Sequence, residues 1–232
     1  MSVKHFGKNT AGRDFAVGDI HGCFSRLQGK LDSIGFDPSC DRLFSTGDLV
    51  DRGPESEQVL SWLDKSWFHA VRGNHEDMAI HHYRHGIDVY AYNANGGAWF
   101  IGMTPAERAD YALAFADLPV AMEVETESGL VGIVHAECPV TDWSRLQLAL
   151  TGPAREMYET WCMWQEQRIK CVCDDEVADV RAVVVGHYVV ERFTSLGNVY
   201  YCDTGAYRRG REFTIIDLAM LQPVKARTPP PN

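Results

Sequence analysis

The chain has 232 residues, is 45% hydrophobic and carries a formal charge of −10 at pH 7. That length is ample to bury a core, and the acidic balance argues against nonspecific nucleic-acid or anionic-membrane binding, which needs basic surface. No nucleic-acid and no membrane partner is therefore expected, although a site can be locally positive and take a phosphorylated substrate.

Residues 1–13 read as a disordered leader, polar and without the apolar core of a secretion signal. Asp14 to Gly18 is a short apolar run ending in glycine, the pattern of a buried strand. Phe24, Leu27, Leu31 and Ile34 then recur at helical spacing until Gly35. Arg42 to Thr46 reads as a second strand, Glu55 to Leu63 as a helix, Trp67 to Val71 as a third strand, and Glu76 to Tyr83 as a helix. This strand–loop–helix progression predicts right-handed crossovers and a mainly parallel sheet. The middle third is helical. Asn95-Gly-Gly opens an aromatic turn at Trp99-Phe100, and Thr104-Pro-Ala-Glu107 is a capping box opening a helix to Ala116. Strands are expected at Val120 to Thr126 and Leu130 to Val134, a helical stripe over 153–170, and a strand at Arg181 to Val185. Val190 to Phe193, Val199 to Asp203 and Glu212 to Asp217 suggest a second, antiparallel sheet. The tail from 223 to 232 is expected to be disordered, leaving 14–222 as a single domain.

Five strand ends carry ligand-type residues: Asp19 with His21, Asp48 with Asp51 and Arg52, Asn74 with His75, then His135 and His187. Any one of them alone is more often a solvated turn or a satisfied loop histidine. Five at strand carboxyl ends, four of them directly after glycine, point instead to a site in the crevice above the sheet. Oxygen ligands mixed with imidazoles suit Mn, Fe or Zn rather than a thiolate-preferring ion. Asp19, His21 and Asp48 would hold one cation, and Asp48, Asn74, His135 and His187 a second, with Asp48 bridging. Two cations would lower the pKa of a bridging water to give hydroxide for in-line attack on phosphorus. His75, adjacent to Asn74 and pointing elsewhere, suits the acid that protonates the leaving group. Asp51 would orient it and favour its charged form, and Arg52 would grip phosphate in bidentate fashion.

Gly18-Asp-Ile-His-Gly22, Gly47-Asp-Leu-Val-Asp-Arg-Gly53 and Gly73-Asn-His-Glu76, with His135 and Gly186-His187, are similar to the signatures of the PPP-type metallophosphoesterases. Within them the chain most resembles the small bacteriophage lambda type of serine/threonine protein phosphatase. Val71-Arg-Gly73, Asn95-Gly-Gly97 with Trp99-Phe100, and Asp203-Thr-Gly-Ala206 share that likeness, which spans about residues 14–217. The resemblance implies a mixed α/β (α+β) fold, a central β-sandwich of mixed sheets flanked by helices, with metals at strand carboxyl ends. It also implies two divalent ions of the Mn2+ type and hydrolysis of phosphomonoesters on Ser and Thr of a protein or peptide, with Tyr as a further target.

One departure stands out. The family's second phosphate-binding arginine falls in a Trp-x-Arg-x-Arg-Ile run, which here is Trp164-Gln-Glu166-Gln-Arg168-Ile169. Glu166 should turn away from phosphate, leaving Arg168 or Arg155 to take that role. The rival within the scaffold is a symmetrical diadenosine tetraphosphate hydrolase, whose second signature usually lacks the aspartate present here as Asp51. A noncatalytic phosphate-binding module is a further alternative, disfavoured because neither the ligands nor His75 are lost. Cys171 and Cys173 lack zinc-site spacing and read as incidental thiols, and His81, His82 and His85 as a solvated helix face. Seven cysteines with no secretion signal predict a cytoplasmic chain with reduced thiols, expected to be monomeric.

Overall fold

Short apolar runs become strands here because both of their faces are covered. The computed structural model describes residues 2–86 and 89–227. Its elements in order are β1 (Val3–Phe6), β2 (Asp14–Val17), α1 (Phe24–Ile34), β3 (Arg42–Ser45), α2 (Val59–Leu63), β4 (Phe68–Ala70), α3 (Asn74–His85), α4 (Val89–Ala94), α5 (Ala98–Ile101) and α6 (Pro105–Asp117). They continue with β5 (Ala121–Thr126), β6 (Gly129–Val134), α7 (Leu146–Ala149), α8 (Arg155–Trp164), α9 (Gln167–Cys171), β7 (Ala182–Val185), β8 (Thr194–Leu196), β9 (Val199–Tyr201), β10 (Ile215–Asp217) and β11 (Gln222–Pro223).

Two mixed sheets result, ordered β11-β10-β2-β3-β4 and β1-β5-β6-β7-β9-β8. The β2-β3-β4 core is parallel, as the crossovers predict, and so are β6-β7-β9. Alternation along each strand divides the side chains between two layers. Phe15 and Val17 join a cluster with Phe24, Leu27 and Leu31 of α1, whereas Ala16 and Phe44 pack with Met122, Ile133 and Val184 of the other sheet. Val183 and Val185 turn to the opposite side, against Trp143, Leu146 and Cys162. The sandwich is therefore helix, sheet, sheet, helix. Strands buried on both faces read as unbroken apolar runs, and all four residues of β7 are buried.

Three expectations are corrected. The leader is not wholly disordered: β1 adds to the edge of the larger sheet, pairing Val3–Phe6 in parallel with Ala121–Val124. The tail is docked through Arg227, whose backbone N–H reaches the Ser33 carbonyl at 2.8 Å and whose Nη2 reaches the Gly35 carbonyl at 3.1 Å; residues 228–232 lie outside the described residues. Residues 190–217 do not form a sheet of their own. β8 and β9 make a hairpin on β7, and β10 instead joins the other sheet, antiparallel to β2. The helix expected from Glu55 is split into one 3-10 turn, Ser56–Gln58, followed by α2. The Thr104–Glu107 capping box forms as expected, with Thr104 Oγ1 accepting from the Glu107 N–H.

Candidate metal and catalytic site

The carboxyl ends of β2, β3 and β4 meet those of β6 and β7, and each delivers its residues through a tight turn. Five of the eight non-glycine residues with positive φ among those described are site candidates: His21, Asp48, Asp51, Arg52 and His187. Left-handed backbone at such residues costs roughly 1–3 kcal/mol apiece, so it persists only where the surroundings enforce it. Glu76, fully buried in the first turn of α3, enforces it at Asp48. Its carboxylate accepts from the backbone N–H groups of Asp48 (3.0 Å), Leu49 (2.8 Å) and Gly73 (2.9 Å). Bonds to a charged acceptor are worth about 1.5–3 kcal/mol each, enough to offset the strain. Burial, then the charge of Asp48, push the Glu76 carboxyl up to about 7. Gly47, at φ +102, has no room for a Cβ, which would sit 2.8 Å from Gly73 N and 3.0 Å from His135 Nδ1.

The expected ligands form two adjoining groups. In one, Asn74 Oδ1 lies 2.8 Å from His135 Nε2 and 3.0 Å from His187 Nδ1, the two imidazoles approach to 3.1 Å, and Asp48 Oδ1 is 3.3 Å from His135 Nε2. In the other, His21 Nε2 lies 3.7 Å from Asp48 Oδ2 and 3.8 Å from Asp19 Oδ2. Asp48 thus faces both groups, one oxygen to each. The far nitrogens fix the tautomers: His21 Nδ1 donates to the Val50 carbonyl at 2.9 Å and His135 Nδ1 to that of Thr46 at 2.8 Å. Both Nε2 atoms are thereby turned toward Asp48, where they could serve as ligands.

These atoms fit cations. Asp19, Asp48, Asp51, Glu76 and Asp203 are each at most 1% exposed, and among the described residues no lysine or arginine is buried with them. Uncompensated buried carboxylates are costly. Burial, followed by Asp203 and Asp48, accordingly holds the Asp19 carboxyl well above its ordinary range. Burial works against charge on His135, yet Asp48 and Asp19 outweigh it and raise the imidazole to about 10. A proton there occupies the place of positive charge that a divalent ion would take, with proton release. Donor separations of 2.8–3.8 Å bracket the roughly 3–3.5 Å expected between ligands about 2.1 Å from one ion. His187 is pushed down to about 4 by burial and by His135, which suits a neutral ligand.

His75 is fully buried beside the His21 group, its ring centroid 4.7 Å from that of His21. Its Nδ1 is 2.6 Å from Asp51 Oδ2, and its Nε2, 3.7 Å from Asp48 Oδ2, has no hydrogen-bond partner. Sequence reasoning missed the groups that hold Asp51. Trp99 Nε1–H donates to its Oδ1 at 2.6 Å, and Ser56 Oγ accepts from its backbone N–H at 2.9 Å. Trp99 was visible only as an aromatic turn, and Tyr207, whose ring centroid is 4.6 Å from that of His21, gave no signal. Arg52 Nη1 donates to His21 Nε2 at 2.5 Å, and its guanidinium lies over Tyr207.

The other two arginines are placed differently from expectation. Arg168 Nη1 donates to the carbonyls of Cys173 (3.0 Å) and Asp175 (2.6 Å), holding a loop. Arg155 pairs with Glu159 one turn along α8 and lines a separate cavity of about 560 Å³ with Arg72 and Arg84. Neither guanidinium contacts a candidate ligand among the described residues. Glu166 Oε1 lies 3.6 Å from His187 Nε2, the nitrogen away from Asn74 and His135, and its Oε2 is 2.5 Å from Lys170 Nζ. Of the three helix histidines, His81 and His85 are exposed but His82 is buried against Tyr92 and Phe100. All seven cysteines are free thiols.

A sandwich with buried carboxylates and imidazoles gathered where its two sheets meet is the architecture of a metallophosphoesterase. The chain belongs to the calcineurin-like phosphoesterases, matching that family over residues 15–191. It is 34% identical over 203 residues to serine/threonine-protein phosphatase 2 of Escherichia coli (strain K12), covering 85% of this chain and 89% of that one. Likeness to a symmetrical bis(5'-nucleosyl)-tetraphosphatase of Methylococcus capsulatus is 31% over 159 residues, covering 62% of this chain and 54% of that one. Among solved structures, a protein serine/threonine phosphatase from Saccharomyces cerevisiae superposes with a TM-score of 0.61 at 19% identity, covering 86% of this chain and 70% of that one, a likeness of fold. The chain is a hydrolase of phosphoesters. No helix among the described residues is long and apolar enough to cross a membrane.

Proposed function

We propose that the chain is a metal-dependent serine/threonine phosphoprotein phosphatase that hydrolyses phosphomonoesters on protein or peptide substrates, with phosphotyrosine as a secondary target. The observation that carries this reading is the buried His75–Asp51 pair at 2.6 Å, with His75 Nε2 unpartnered and facing the ligand cluster. Asp19, His21 and Asp48 would hold one divalent ion and Asp48, Asn74, His135 and His187 the other, with Mn2+ the expected pair and Fe or Zn the alternatives. Bound cations supply an activated water and neutralise the phosphoryl oxygens. His75 donates its Nε2 proton to the departing serine or threonine alkoxide as the ester P–O bond breaks. Asp51, held by Trp99 and Ser56, fixes the ring for that transfer. The Arg52 guanidinium, beside His21 Nε2 and over the Tyr207 ring, would grip the phosphoryl group in bidentate fashion. The reading is completed by one domain, a monomer, in the cytoplasm; the free thiols support a reducing compartment.

The partial likeness to a bis(5'-nucleosyl)-tetraphosphatase favours one second reading, hydrolysis of diadenosine tetraphosphate. Chelator-stripped protein restored with Mn2+ should turn over a phosphoserine peptide faster than diadenosine tetraphosphate. The reverse order moves the function to the dinucleotide, and activity that survives chelation removes the metals from the account.

A further inference from the structure

The Tyr207–Arg211 loop places positive charge beside the ligand cluster of an acidic protein. Three arginines fall in the four residues from Arg208 to Arg211, in a chain whose net charge is −10. The Arg52 and Arg208 guanidiniums lie 5.0 and 5.3 Å from the centroid of the Tyr207 ring, and that ring is 4.6 Å from His21. Arg208 also donates from Nε and Nη2 to the Tyr207 hydroxyl, at 3.1 and 3.0 Å. The nearby carboxylates are already engaged, Glu191 by Arg211 at 2.9 Å and Glu212 by Lys30 at 3.4 Å. Arg208 and Arg209 are exposed and have no carboxylate partner among the described residues. The loop is held in place: Arg26 donates to the carbonyls of Ala206 and Arg211, and Thr204 Oγ1 donates to that of Glu212 at 2.9 Å. Its backbone is therefore ordered before binding, which lowers the cost of presenting these cations.

The opposite side of the site carries no such excess, because Glu166 is paired with Lys170 Nζ at 2.5 Å. Glu166 stands beside His187, and Glu137 accepts from the Arg168 backbone N–H at 3.0 Å. The unpaired positive charge thus lies on the Tyr207 side of the site.

We infer that the Tyr207–Arg209 segment is a docking surface for acidic side chains flanking the phosphorylated residue, so that acidic phosphopeptides are the favoured substrate class. This rests on the phosphoprotein phosphatase reading. Ring steps of 4.6 and 5.3 Å keep the Arg208 guanidinium within about 10 Å of the His21 ring, and extended chain advances about 3.3 Å per residue. The acidic residues that count are therefore the second and third from the phosphoresidue. The guanidiniums touch the flank rather than the reacting phosphoryl group, so their effect falls mainly on KM.

The test uses the full chain loaded with Mn2+ and one phosphothreonine peptide made with Glu, Gln or Lys at those positions on both sides. Expected is a kcat/KM order of Glu over Gln over Lys, about 3- to 10-fold per step, carried in KM and shrinking as salt rises. The R208Q/R209Q double variant should bring the three peptides within about 2-fold of one another, and charge reversal in R208E/R209E should invert the order. Equal kcat/KM for the three peptides in the wild type, or an order that survives in the double variant, overturns the docking surface alone. Failure to hydrolyse any of the three peptides overturns the phosphatase reading and the surface with it.

Discussion

Two histidine–carboxylate pairs of this site, His75 with Asp51 and His187 with Glu166, are opposites in nearly every respect. His75 and Asp51 are both fully buried, 2.6 Å apart, and Asp51 is held by Trp99 and Ser56. His187 and Glu166 are 3.6 Å apart with side chains 14% and 27% exposed, and Glu166 is shared with Lys170. In the first pair the nitrogen left over has no partner; in the second it lies among Asn74 and His135. A buried, doubly anchored carboxylate holds a ring that must move a proton in a set direction. A half-exposed one, softened by lysine, only needs to orient a ring whose other nitrogen is tied up. The same chemical pair does different work according to burial and to what the far nitrogen meets.

Asp48, which lies between the two pairs, gives the largest expected effect. Asp48→Asn should lower kcat by more than about 1,000-fold and abolish tight binding of both ions, because one oxygen faces each ligand group. Calorimetry of the stripped protein with Mn2+ checks it, and two retained ions would break the shared role. His75→Asn comes next. It should keep both ions yet cut kcat on a phosphoserine peptide by about 100- to 10,000-fold. The loss should shrink on p-nitrophenyl phosphate, whose leaving group needs no proton. Equal losses on the two esters would remove the proton from His75.

How the sequence revealed these pairs differs as well. Asp48, Asp51 and His75 sit within a few residues of strand ends, so local apolar patterning alone places them on one edge. His135 and His187 were legible for the same reason, although they arrive from the second sheet. The assignment of strands to sheets was not. β8 and β10 are three-residue segments of similar character, and nothing local says that one joins β9 while the other crosses to β2. β1 was invisible because its partner, Ala121–Val124, lies more than a hundred residues away. Glu166 stood out as a departure, but its contact with His187 depends on how α8 and α9 pack, which periodicity does not encode.

Glu166→Ala sharpens the comparison directly. If the second pair only orients a ligand, its loss should weaken one of the two ions by about 10- to 100-fold and leave the other in place. Glu166→Gln, which keeps an acceptor for the His187 Nε2–H, should lose less. Two-site Mn2+ titrations of the three proteins separate these outcomes, and an Ala variant that binds both ions as wild type does would leave Glu166 without an orienting role.

His69 shows what burial does to a histidine with no carboxylate in contact, and it carries the smallest effect. Its ring packs between Phe6 and Phe44, at centroid distances of 4.5 and 5.2 Å, near Lys4 and Arg42. Burial first, then those two cations, lower it from 6.5 to about 4. The folded protein therefore binds fewer protons than the unfolded chain between these values, so stability rises with pH across that window. The contribution is complete above 6.5 and is lost as pH falls through 4. The ring is partly exposed, so the full shift overstates it, and about 1–2 kcal/mol is expected. Urea unfolding at pH 4.5 and pH 7 should show a smaller difference for His69→Gln than for wild type. Identical differences would mean that the carboxylates account for the whole pH dependence, and that a partly buried histidine without a carboxylate partner costs this fold nothing.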